Sequence, residues 1–188
     1  NDVWAYHDMH HTTHFFNDFM DAVNSYGQAN SVDEFAKKAQ MITYDTWRRM
    51  IEGFNSRLWQ NTTGLILWMS HPAWPSMTWQ TYTFDYETPG SYYGVRKAQE
   101  PIHVQMNLPD DKIIILNSTR ESYSNMTMTV RYYSIEGREY YSKSAKFDVK
   151  ANAKTDCFIP DIAVDKLEDY TLVRLELKDR YGKVVSIN

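Results

Sequence analysis

Gly64-Leu65-Ile66-Leu67-Trp68-Met69 is the stretch on which the fold reading turns. It is nearly continuous in apolar residues, as expected of a parallel strand buried on both faces. Helical spacing precedes it. Ser31-Val32-Asp33-Glu34 has the form of a capping box, with the Ser hydroxyl taking the amide at the third helical position and Glu34 reaching back to the cap amide. Phe35, Ala39, Ile42, Trp47, Met50, Ile51, Phe54 and Leu58 then recur at three- and four-residue steps, which predicts one long helix from about Ser31 to Leu58. A shorter helix, about Thr13 to Tyr26, is expected to stop at Gly27. After the apolar run comes an irregular stretch, Ser70 to Tyr86, rich in Trp and Pro. Thr88-Pro89 then opens a further helix to about Gln99, with Thr as N-cap and Pro in the first turn. Helix, buried strand, long loop and helix is the pattern of an α/β barrel wall.

Beyond Pro101 the period changes to two. Lys112 to Asn117 reads as a strand. Met126, Met128, Val130 and Tyr132 alternate with Thr127, Thr129, Arg131 and Tyr133. Glu136-Gly137 and Arg180-Tyr181-Gly182 mark turns. Phe147 with Val149, Cys157 to Ile159, and Val173, Leu175 and Leu177 supply further strands. Short strands separated by turn signals at this spacing predict a β-sandwich. The expected organisation is therefore an α/β part over residues 1–100 and an all-β part over residues 101–188. The tail Val184-Val185-Ser186-Ile187-Asn188 ends where one more strand is expected.

Composition narrows the function classes. The chain has 188 residues, 43% of them hydrophobic, and a net charge of -4 with acids and bases interspersed. No basic stripe points to nucleic acid, and no apolar run approaches the roughly 20 residues that span a bilayer. The first residues, Asn1-Asp2-Val3-Trp4, lack the basic start and apolar run of a signal peptide. Cys157 stands alone, so no intrachain disulfide forms. All six Trp lie within the first 79 residues. Clustered indoles either fill a core or offer flat apolar faces to sugar rings, whose hydroxyls need polar partners alongside.

The ordered series from Thr63 to Gln80 resembles the last barrel strand and following loop of glycoside hydrolase family 2 enzymes. A strand ends in Trp68, a Trp74-Pro75-Ser76 turn follows, and then comes Trp79. The resemblance continues through Asp85-Tyr86, Ser91-Tyr92-Tyr93-Gly94-Val95-Arg96-Lys97-Ala98 and Glu100-Pro101-Ile102-His103-Val104-Gln105. Phe35-Ala36-Lys37-Lys38-Ala39-Gln40 fits upstream. Exo-β-D-glucosaminidases are the nearest subgroup and β-mannosidases the next.

The resemblance implies the terminal segment of a TIM (β/α)8 barrel followed by an immunoglobulin-like β-sandwich, within a larger retaining glycosidase that acts on carbohydrate. It implies Trp68 as the platform under the sugar, often followed by a cis peptide, with Trp74 and Trp79 shaping the rim. His71 and Asp85 are the further candidates for substrate contact. Retaining chemistry uses two carboxylates about 5–5.5 Å apart. In the family both are Glu on earlier barrel strands, and no Glu here stands in a matching motif. Glu34 is the capping residue, Glu52 rides the long helix, Glu87 precedes a helix and Glu100 lies at the junction, so no catalytic residue is assigned. His7, His10, His11 and His14 have spacings compatible with zinc on a helix face, but the family needs no metal, and no metal or other cofactor is expected. The expected partners are a carbohydrate substrate and the remainder of the glycosidase chain, not nucleic acid or membrane. The expected location is periplasmic or secreted. Three sequons, at Asn61, Asn117 and Asn125, are short enough to occur by chance.

Overall fold

A computed structural model describes residue 7 and residues 15–75, 80–163, 166–168 and 170–188, with backbone alone for 15–17. It divides into two compact units, Asn1–Ile51 with Leu65–Ala98, and Glu52–Gly64 with Gln99–Asn188.

The first unit holds helix α1 (Phe15–Asn24), most of α2 (Val32–Asn55) and α3 (Gly90–Ala98). The cap expected at Ser31 is present, since the Glu34 amide donates to Ser31 Oγ at 3.1 Å. Glu34 reaches back one residue further than expected and accepts the Asn30 amide at 2.8 Å. The chain leaves α1 through Gly27, whose φ of 86° costs a glycine little. Thr88 does not cap α3. Its hydroxyl pairs with the Tyr93 hydroxyl at 3.2 Å. Gly90 and Gly94, one turn apart, let α3 lie against the α2 backbone, because a Cβ at either would overlap the carbonyl oxygen of Gln40 or Tyr44. Trp47 and Ile51 are the buried part of the α2 stripe, while Met50 stays exposed.

Residues 64–69 do not form the expected strand. Ile66 is 95% exposed. An extended segment becomes a strand only with a neighbour to take its amides and carbonyls, and the described residues of this unit contain no strand to pair with it. No cis peptide follows Trp68 either.

The second unit is the expected sandwich. One sheet has the order β1 (Ile102–Met106), β2 (Ile113–Asn117), β5 (Ala153–Phe158). The other has the order β4 (Glu139–Val149), β3 (Tyr123–Tyr133), β6 (Leu172–Lys178), β7 (Val184–Ile187). All neighbours are antiparallel. The period-two reading of β3 holds, with Met126, Met128, Val130 and Tyr132 all inside. They meet Val104, Ile113, Ile115, Val149, Leu175 and Leu177 in one core. Gly137 and Gly182, both at φ 84°, make the expected turns. Seven antiparallel strands in two packed sheets give an immunoglobulin-like domain.

Strand β1 has no counterpart in the sequence reading. Val104 faces the sandwich core, while His103 and Gln105 on its opposite face are 1% exposed. That polar face is covered by the Glu52–Gly64 segment of the same unit: Gln105 Nε2 donates to the Glu52 carbonyl at 2.8 Å. Lys154 on β5 also reaches this segment, donating to the Ser56 carbonyl at 2.9 Å.

Candidate functional site

The loop of the first unit between residues 65 and 88 carries the aromatic candidates. Its base is closed by backbone hydrogen bonds. The amides of Thr81 and Tyr82 both donate to the Ser70 carbonyl, at 3.1 and 2.9 Å. Ser91 on α3 donates its hydroxyl to the Gln80 carbonyl at 2.8 Å. Gln80, Thr81 and Ser91 are buried, so the loop stands on a satisfied polar base.

The aromatic rings sit above that base. Trp68 is 77% exposed and Trp74 43%. His71 stacks on Tyr86, with ring centroids 4.5 Å apart and planes 18° from parallel. The His71 Nε2 lies 3.2 Å from the Phe84 carbonyl oxygen, which makes that nitrogen a donor. Asp85 occupies the turn between Phe84 and Tyr86, and the Thr83 hydroxyl donates to its Oδ1 at 2.5 Å. Tyr86 holds φ at 66°, a left-handed conformation uncommon for an aromatic residue. On the other side of the loop, Trp74 packs against His7 with centroids 4.9 Å apart.

The structure thus stacks His71 on Tyr86, the residue after Asp85, and carries Trp68 and Trp74 as exposed rings on the same loop. Trp79 lies outside the described residues, as do His10, His11 and His14. His7 Nδ1 is engaged by the Pro75 carbonyl at 2.6 Å. Exposed aromatic faces on a loop that also carries a carboxylate and an imidazole are of the residue types suited to a ring with one apolar face and polar edges. Tyr86 is the residue the sequence reading passed over. Its signal was its place directly after Asp85 in the aromatic loop.

A second cluster, in the second unit, joins residues that the sequence reading kept apart. His103 on β1 is flanked by Glu52 at 3.0 Å and Glu100 at 3.3 Å. This pair of carboxylates has an imidazole between its members and lies against a packed strand, so it offers no room for a glycosidic bond. Neither this cluster nor any other group of three or more His, Cys, Asp or Glu among the described residues is placed to hold a metal ion. No helix among them is long and apolar enough to cross a membrane.

Residues 112–188 match the model of the mannosidase Ig/CBM-like domain. The exo-β-D-glucosaminidase of Amycolatopsis orientalis is 33% identical over 180 residues, covering 90% of this chain and 17% of that protein. The mannosylglycoprotein endo-β-mannosidase of Lilium longiflorum is 34% identical over 123 residues, 65% of this chain and 13% of that protein. The crystal structure of the Amycolatopsis orientalis exo-chitosanase superposes with a TM-score of 0.83 at 33% identity, over 90% of this chain and 21% of that one.

The chain fits the C-terminal part of a glycoside hydrolase family 2-type enzyme. It spans only 17% of the length of the Amycolatopsis relative. A β-D-mannosidase from Dictyoglomus thermophilum shares the fold at a TM-score of 0.79 and 17% identity. The Ig-like domain match agrees with the sandwich read from the residues.

Proposed function

We propose that this chain is a piece of a retaining glycoside hydrolase that removes terminal β-linked sugars, of glucosaminide or mannoside type, from oligosaccharides. In this reading residues 1–100 are the terminal segment of a TIM (β/α)8 barrel, and residues 101–188 are the immunoglobulin-like sandwich that follows it. The piece supplies the last barrel strand, with Trp68 as the floor of the sugar subsite. Trp74, Trp79, His71 and Asp85 contribute to its wall, and the location is periplasmic or secreted.

One observation carries the reading. A loop with a buried, fully bonded base holds Trp68 out at 77% exposure, in a chain whose relatives are named for β-glucosaminide and β-mannoside cleavage. The loss of the expected strand at 64–69 fits the same reading, because its ladder partners would come from the rest of a barrel. The nucleophile and the acid/base then lie in that remainder, which also stands as the chain's main protein partner.

A second reading makes the sandwich a non-catalytic module for interdomain packing or glycan binding. Its self-contained core favours this. The two are separated by assaying nitrophenyl β-D-glucosaminide and β-D-mannoside with the 188-residue chain. General acid catalysis alone typically contributes about 10²–10⁴-fold, so a chain without either carboxylate gives no turnover above buffer. Turnover by contaminant-free protein overturns the proposal. Millimolar-or-better glycan binding retained by residues 99–188 alone favours the second reading.

A further inference from the structure

Within the second unit, polar groups from three separate stretches of chain converge on one imidazole. Glu52 comes from the last turn of α2, Glu100 from the chain ahead of β1, and Ser186 and Asn188 from the end of β7. His103 itself is 1% exposed. Its Nε2 lies 3.0 Å from Glu52 Oε1 and its Nδ1 3.3 Å from Glu100 Oε2.

Counting donors decides its state. An ionised carboxylate only accepts, and a neutral imidazole carries one N–H. In either neutral tautomer one ring nitrogen would turn a lone pair toward a carboxylate oxygen. With both carboxylates ionised, only the imidazolium satisfies both contacts. The other members complete the count as donors: the Ser186 hydroxyl to Glu100 Oε2 at 2.7 Å, and the Asn188 amide to Glu52 Oε1 at 2.6 Å and to the Val104 carbonyl at 3.0 Å.

We infer that this cluster is a charge-dependent clasp, in which imidazolium His103 holds the Glu52–Gly64 segment on β1 and loss of its proton loosens that segment. Among the described residues, the ionisable groups in hydrogen-bond reach of His103 are Glu52 and Glu100, at 3.0 and 3.3 Å. Strands β2 and β7 carry no ionisable side chain. On β6, Arg174 and Lys178 pair with Glu176, which also takes Arg131 from β3. On β5, Lys154 is engaged by the Ser56 carbonyl.

The electrostatic balance agrees. Burial by itself pulls the His103 pKa down, but the hydrogen bonds to Glu100 and Glu52, and their charges, more than offset it and leave it above the ordinary 6.5. A folded value above the unfolded one gives stability that is complete below the unfolded value and is lost as pH rises through the folded value. Above that point one ring nitrogen of His103 turns a lone pair toward a carboxylate oxygen, and a buried hydrogen-bond contact left without its donor is unfavourable. The inference stands apart from the glycosidase proposal and needs no substrate.

The test is long-range proton–nitrogen NMR of the histidines in the 188-residue chain, with His103 assigned from the His103→Gln spectrum. Amide exchange is followed alongside. Expected are two protonated ring nitrogens at pH 6 and a titration midpoint above 6.5. Protection of the Ser56 and Trp59 amides, bonded to Glu52 and Thr62, then falls by about tenfold per pH unit between the unfolded and folded values. Protection along β3 and β6 stays constant. Should His103→Gln not fold, Glu100→Gln supplies the second arm, and its His103 midpoint drops below that of the parent chain. A single neutral tautomer at pH 6, a midpoint at or below 6.5, or the same loss of protection in His103→Gln overturns the clasp.

Discussion

At the scale of single residues, local chemistry was legible and distant partnership was not. Ser31 announced itself through its spacing to Glu34, and the cap is present. Ser31→Ala is expected to cost about 1 kcal/mol, measured by urea unfolding; no change would show that solvent serves the Glu34 amide equally well. Glu34 is held down to about 2, first by its hydrogen bond to Lys38 and then by the Asn30 amide. Its contribution is therefore present above the ordinary carboxylate range and fades as pH falls toward 2. Cys157 is a lone thiol in the sequence, and only the fold gives its character. Burial, and secondarily the charge of Asp156, push it up to about 12. Native protein at pH 8 should react with a thiol reagent far more slowly than denatured protein, and equal rates would contradict that burial. His103 was hidden for a different reason: Glu52 reads as an outward helix residue until the fold brings it across 51 positions to β1.

Among the elements, periodicity found what packs on one face and missed what packs on two or none. The strict alternation in β3 reports one core face, and the strand lies where it was expected. In β1 both faces are covered, and His103 and Gln105 look solvent-facing until the 52–64 segment is placed over them. Residues 64–69 err the other way, because an apolar run states that both faces want cover without saying who provides it. The glycines of α3 give the sharpest test of an element contact. A Cβ at Gly94 would overlap the Tyr44 carbonyl oxygen, whereas one at Gly53 in α2 meets nothing within 4 Å. Gly94→Ala should destabilise by about 1–3 kcal/mol through overpacking. Gly53→Ala should be neutral or stabilise by up to about 1 kcal/mol through helix propensity. Equal unfolding midpoints for the two variants would show that α3 does not depend on that approach.

For the whole molecule, the two units differ in how well they bury themselves. The sandwich owns a continuous core of ten buried side chains. In the first unit, the buried apolar residues among those described are Val23, Trp47, Ile51 and Ala98, while Met41, Ile66, Trp68, Phe84 and Tyr86 lie open. The chain should accordingly bind a hydrophobic dye or self-associate, with the slowest amide exchange in the second unit; a monomer with uniform protection in both units would contradict this. The central claim is that the chain completes a sugar site whose carboxylates lie elsewhere, with Trp68 as its floor. The direct measurement is kcat/KM and melting temperature for Trp68→Ala, made in a polypeptide that joins this chain to a barrel bearing both carboxylates. Trp47→Ala, 9% exposed, serves as the packing control and should cost about 3–5 kcal/mol of stability. The account predicts that Trp68→Ala melts with the parent and loses at least about tenfold in kcat/KM on β-glucosaminide or β-mannoside, close to 1.4 kcal/mol of transition-state binding. If Trp68→Ala instead melts as early as Trp47→Ala and its folded fraction turns over normally, Trp68 is a packing residue and the account is wrong.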